Sequence, residues 1–150
     1  MGERGVIAGA CGQPDCCCRE ASSMEAMATL VSNAMQAGDL PVITSLLAPD
    51  VRWGDPHQSV PTCRNKSQVL RWFENAQQAG ASADVIETIV LGQHILLGLA
   101  VRGNPRATTK EKPVVRWQVM SIEDGKIAEI RGYESRSDAE HFAVAGTSNW

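Results

Sequence analysis

Val114-Val115-Arg116-Trp117-Gln118-Val119-Met120-Ser121-Ile122, Glu123-Asp124-Gly125, then Lys126-Ile127-Ala128-Glu129-Ile130-Arg131-Gly132-Tyr133 reads as two strands joined by a tight turn. Side chains alternate with period two on both sides, and Asp124-Gly125 suits the positive φ of a hairpin loop. Upstream, Val85 to Leu91 and His94 to Val101 are β-branched or apolar runs of strand length. The polar connection from Gly103 to Pro113 separates them from the hairpin.

Further upstream the period becomes helical. Ser22-Ser23-Met24-Glu25 fits a capping box. Met24, Met27, Ala28, Leu30, Val31, Ala34 and Met35 then recur at helical spacing, and Gly38 supplies the stop. Asp39 caps a short second helix with Val42, Ile43, Leu46 and Leu47 on its buried side, closed by Pro49. A third helix follows Asn65, with Gln68 completing a partial capping box. Val69, Leu70, Trp72, Phe73 and Ala76 face inward, and Gly80 ends it. Helices first and a meander of strands afterwards imply an α+β domain with its helices on one sheet face.

With 150 residues the chain is one domain in length and can bury a real core. Its 43% hydrophobic and 21% charged residues are those of a globular protein. The net charge of −3, with Lys and Arg scattered, speaks against a nucleic-acid partner. No apolar run approaches the roughly 20 residues of a membrane span. Residues 1–21 read as a disordered, Cys-rich leader, residues 22–143 as the domain and residues 144–150 as a C-terminal tail.

Cys11, Cys16, Cys17 and Cys18 crowd that leader, while Cys63 stands alone. No apolar segment of secretory length precedes Cys11, so a signal peptide is not expected. An odd cysteine count then points to reduced thiols and a cytoplasmic protein. Three consecutive cysteines are awkward metal ligands, and no second Cys/His pair stands at zinc-finger spacing. A tail without metal is the expectation.

Between the second and third helices, Trp53-Gly54-Asp55-Pro56-His57 opens an extended stretch. Positions i and i+2 of a strand share a face, so Asp55 and His57 either reach into one cavity or, Asp before Pro being common in turns, form an ordinary solvated turn.

Ala37-Gly38-Asp39-Leu40, Leu46-Leu47-Ala48-Pro49-Asp50-Val51, Asp55-Pro56, Asp124-Gly125-Lys126-Ile127 and Ile130-Arg131-Gly132-Tyr133 together resemble the nuclear-transport-factor-2-like superfamily. The likeness is to its SnoaL-like polyketide cyclase branch, with ketosteroid isomerase and limonene-epoxide hydrolase as distant relatives, and covers about Ser22 to Phe142. It implies a cone-shaped roll, three N-terminal helices closing over a strongly curved, mostly antiparallel sheet around a pocket. Homodimers through the outer sheet face are common in that superfamily. Asp55 matches the general-base aspartate of ketosteroid isomerase. Val31 stands where its oxyanion tyrosine would be, Gln118 near its second aspartate, and Gly132 at the place of one hydrolase aspartate.

The resemblance also assigns faces. Arg116, Gln118, Met120, Ile130 and Glu134 turn inward with Asp55 and His57, among Trp53 and Trp72. Val115, Trp117, Val119, Glu129, Arg131 and Tyr133 turn out. An apolar chamber with a few convergent polar groups is the usual form of a small-molecule site. In it Asp55 abstracts a proton beside a carbonyl, His57 relays it, and Gln118 donates to the developing enolate. Arg116 binds a substrate anion, or instead pairs with Glu134 or Asp55. No nucleotide or phosphate loop is present, so the expected chemistry is a cofactor-independent isomerase or cyclase acting on a hydrophobic carbonyl compound. The alternatives are a non-catalytic ligand-binding module and a dimeric interaction domain of the same fold. Dimerisation is expected because Val115, Trp117, Val119 and Tyr133 would otherwise form a large exposed patch. Cys63, ahead of a helix and beside Arg64, reads either as a buried filler or as a thiol of lowered pKa with His57 as its base.

Overall fold

The computed structural model describes residues 12–55, 61–103 and 114–145, with side chains from Ser23 onward. His57, Cys11, most of the polar connection and the last five residues of the tail lie outside the described residues. Helices α1 (Gly12–Ala37) and α2 (Leu40–Leu46) lead into strand β1 (Leu47–Gly54), and α3 (Lys66–Gln78) follows. Strands β2 (Ser82–Leu91), β3 (His94–Arg102), β4 (Val114–Glu123) and β5 (Lys126–Tyr133) form a meander, and α4 (Arg136–Ala145) ends it. The five strands make one curved, unclosed sheet in the order β1-β5-β4-β3-β2, antiparallel except for the β1–β5 pair.

Local chemistry explains the boundaries. Asp124 and Gly125 take φ of 52° and 73°, giving the two-residue hairpin its left-handed turn. Asn65 accepts a hydrogen bond from Gln68 N at 2.9 Å, and Gln68 Oε1 reaches back to Arg64 N at 2.7 Å, one residue before the cap. Asp39 accepts from Val42 N at 3.3 Å, with Pro41 in the first turn where no helical N–H is lost. Helix α1 begins at Gly12, ten residues before the expected capping box at Ser22. Pro14 falls in its first turn, where the missing N–H has no helical acceptor, so it does not stop the helix. The strand likewise starts earlier than expected: Leu47 is a strand residue, and Pro49 sits inside β1, at the sheet edge.

The main core lies between α1–α3 and the inner sheet face. Val31, Ala34, Ile43, Val51, Val69, Ile95, Leu97, Met120 and Ile130 are buried there. Leu30, expected among them, is on the solvent side of α1.

A second, smaller core corrects the picture of a bare outer face. Ala139 and Ala143 of α4 pack on Leu96 and Val119, with Trp117, Tyr133 and Phe142 around them. The expected exposed patch is thus largely covered, and Val115 alone of its four members stays exposed, at 42%. Ser135 Oγ accepts from Asp138 N at 3.4 Å at the start of this helix, and Arg136 grips Glu87 of β2 through two hydrogen bonds of 2.8 and 2.9 Å. No described helix is long and apolar enough to cross a membrane.

Candidate functional site

Strand register arranges the inner face in transverse rows. Ile95, Met120, Ile130 and Trp53 are neighbours across β3, β4, β5 and β1. The next row holds Leu97, Gln118 and Gly132, and the one after it Leu99 and Arg116. Arg116 Nη1 lies 3.6 Å from Glu134 Oε2, just beyond the end of β5. Because β1 and β5 run parallel, their ends meet the start of β4 at one end of the sheet. The face therefore grades from apolar core to charged rim.

Asp55 stands at that rim. The last β1–β5 pair is Gly54 with Arg131, so Asp55 follows at the level of Gly132. Its side chain is exposed, where the sequence reading expects it shielded in an apolar wall. The reason is its place: β1 ends at Gly54 and is an edge strand, so water reaches the next residue.

The interior is also fuller than expected. Among the described residues a hollow of about 10 Å³ lies there, lined by Val31, Met35, Phe73, Met120, Ile127 and Ile130 among others. That is room for about one water, and its lining is apolar. Side chains from three helices meet those of the sheet here.

Gln118 is the unusual member. It is 8% exposed, and its Oε1 has no hydrogen-bond partner. Leaving a buried acceptor unpaired costs about 1–3 kcal/mol. Its β5 neighbour is Gly132, and a Cβ built there would meet nothing within 4 Å. A buried, orphaned acceptor and a position without a side chain are thus neighbours in one row of the inner face.

Aromatic rings flank this end. Trp53 lies 4.4 Å edge-on to Trp72 and 5.1 Å in a stack with Phe73. Trp72 is 48% exposed, so the cluster runs from core to surface. The structure therefore brings together Trp53 with Trp72, Met120 with Ile130, and Arg116 with Glu134, around Gln118. The Arg116–Glu134 pair is a partly exposed rim pair and not a buried one.

Cys63 is buried, and its backbone exchanges two hydrogen bonds with Trp53, of 2.8 and 2.9 Å. Burial pushes its thiol pKa up, which fits the buried filler and not the activated thiolate. Among the described residues no group of three or more metal-ligating side chains gathers.

Sequence reasoning missed helix α4 and what it frames. Its signal was present but weak, a Ser135-x-x-Asp138 start followed by Ala139, Phe142 and Ala143 at helical spacing.

The family model of the SnoaL-like domain matches residues 28–130. No match is found among curated proteins. Among solved structures, a candidate polyketide cyclase from Sinorhizobium meliloti is 24% identical with a TM-score of 0.59, covering 74% of this chain and 98% of that one. A candidate ketosteroid isomerase from Kribbella flavida is 16% identical with a TM-score of 0.60, covering 74% and 76%. An LEH-like epoxide hydrolase of M. tuberculosis is 18% identical with a TM-score of 0.56, covering 79% and 87%. Likeness at this level carries the fold and no more.

Proposed function

The chain belongs to the SnoaL-like domain family, and on that premise we propose that it binds a hydrophobic small molecule at the charged end of the inner sheet face. The single observation that carries this reading is the buried, unpartnered Gln118 Oε1 in the row that Gln118 shares with Gly132. A ligand hydroxyl or N–H supplies the missing donor. Trp53, Trp72, Met120 and Ile130 provide apolar contact, and Arg116, with Glu134 beside it, holds an anionic or polar end.

A second reading adds chemistry, a cofactor-independent isomerisation or cyclisation of a carbonyl compound with Asp55 as base and His57 as relay. The level of Asp55 beside Gly132 favours it, and its exposure favours binding alone. Association as a homodimer belongs to the same reading, with α4 forming part of the outer surface. A monomeric mass at micromolar concentration removes that element.

Native mass spectrometry after gentle purification tests binding. The expected result is an added small-molecule mass that Gln118→Leu fails to retain. Equal retention by both proteins overturns the site. With the retained compound in hand, Asp55→Asn separates the two readings, since an enzyme loses turnover and a carrier keeps its affinity.

A further inference from the structure

Arg116 and Gln118 lie two residues apart on β4, so their side chains leave one face with Cβ atoms about 7 Å apart. Gln118 is buried and its Oε1 has no hydrogen-bond partner. Arg116 stands nearer the rim, where 40% of its side chain reaches solvent. From the rim inward the strand thus offers a cation, then an acceptor, then the apolar core that begins at Met120.

The pair that Arg116 makes with Glu134 is loose. The two approach only to 3.6 Å, and Glu134 is 87% exposed. Exposed pairs of this kind contribute little, so another carboxylate can take the place of Glu134 at small cost. Asp55 also brings a carboxylate to this end of the sheet. It follows β1, two strands away from β4, and so stands about 10 Å from that strand. Water around its exposed side chain screens it over that distance.

The surroundings fix the direction of approach and the depth. Leu97 and Leu99, beside Gln118 and Arg116 on β3, are sealed. On the other side Gly132 and Trp53 are half-buried and Trp72 is exposed, so solvent reaches Gln118 from there. Further in, Met120 and Ile130 belong to the core, and among the described residues the hollow beside them is about 10 Å³. A ligand that reaches Gln118 from the rim therefore ends there. Its length is set by the gap between the acceptor and the guanidinium.

We propose, on the premise that the inner face binds a small molecule, that this rim selects an aromatic hydroxy acid entering hydroxyl first. The hydroxyl donates to Gln118 Oε1, whose terminal torsion is soft enough to meet it. The carboxylate stays at the rim and accepts from the planar fork of the Arg116 guanidinium. The ring between them lies over the bare backbone of Gly132, with the Trp53–Trp72 pair at its edge. A hydroxyl para to the acid spans the gap, whereas an ortho hydroxyl cannot serve both residues.

An amide-shift NMR titration of the whole chain with para-hydroxybenzoate tests this, beside salicylate, benzoate, para-hydroxybenzamide and tyramine. The expected result for para-hydroxybenzoate is a saturable set of shifts centred on Arg116, Gln118 and Trp53. Benzoate lacks the hydroxyl, para-hydroxybenzamide lacks the charge and salicylate has the wrong spacing. Each should bind at least about tenfold more weakly. Arg116→Gln should erase the difference between para-hydroxybenzoate and its amide, and Gln118→Leu the difference between para-hydroxybenzoate and benzoate. The ligand comparisons use the unaltered protein, so they decide the matter even where a variant fails to fold. Equal binding of acid and amide overturns the proposal, as do tighter binding of tyramine and the absence of saturable shifts. The premise falls on a different result, equal retention of the copurified compound by wild type and Gln118→Leu.

Discussion

Gly98 and Trp117 face each other across β3 and β4, and the glycine makes room for the indole. A Cβ at position 98 would stand 2.8 Å from Trp117 Cη2 and 2.9 Å from Cε3. The ring lies over the bare backbone, and the Arg136 guanidinium approaches it from the α4 side at 5.8 Å. One absent methyl group thus sets how closely the second core can form.

Gly98→Ala should destabilise the protein by about 1–3 kcal/mol, the usual cost of overpacking. Denaturant unfolding followed by tryptophan fluorescence measures it. Combining it with Trp117→Leu should recover part of the loss, because the smaller side chain vacates the space. Full additivity in that double-mutant cycle would mean the two residues do not compete for one volume.

Helix α4 is tied down by a charge pair and should loosen in acid. Hydrogen bonds from Arg136 hold the Glu87 carboxyl below the usual carboxylate range. A carboxyl whose folded pKa is depressed adds stability at every pH above its unfolded value, about 4.3. That contribution fades as pH falls from there through the folded value. Glu87→Gln should therefore flatten this part of the stability–pH curve while leaving the contribution of Asp84, which Gln36 and Arg102 lower in the same way. Thermal midpoints between neutral and strongly acidic pH give the readout. Identical curves for variant and wild type would remove the clamp.

Cys63 should be chemically quiet. Its thiol is buried and its pKa is raised by that burial, so little thiolate exists at neutral pH. Iodoacetamide followed by peptide mapping should label it at least about a hundredfold more slowly in the folded protein than in denaturant. Fast labelling at neutral pH in the native state contradicts the packing described for β1.

What the sequence made legible follows from the range of each signal. Strand alternation and the Asp124-Gly125 turn are local and group Arg116 with Gln118 and Met120, while the family resemblance was needed to say that this face and Ile130 turn inward. The Asn65 and Asp39 caps are equally local. The filled interior was not legible, because it depends on how Met35, Leu46 and Phe73 from three helices add their volumes over one spot. Helix α4 escaped because small residues do its packing: Ala139 and Ala143 give little hydrophobic contrast along the chain. The polar row of His94, Ser121, Glu129 and Arg52 escaped for another reason. Only register across β3, β4, β5 and β1 makes them neighbours.

Gln118 separates a functional polar group from a merely tolerated one, because the two roles predict opposite stability effects. If its oxygen serves a ligand, the empty protein carries an unpaired buried acceptor. Replacing it with leucine removes that burden and leaves a side chain of similar size facing Leu97. Gln118→Leu should then raise the stability of ligand-free protein by about 1 kcal/mol while weakening retention of the natural ligand tenfold or more. Gains in stability at the expense of binding are characteristic of sites kept polar for function. A structural glutamine behaves otherwise: its loss would lower stability and leave retention unchanged. Urea unfolding of the ligand-free variant, beside native mass spectrometry of the same preparation, gives both numbers. A drop in stability with full ligand retention would take Gln118 out of the site.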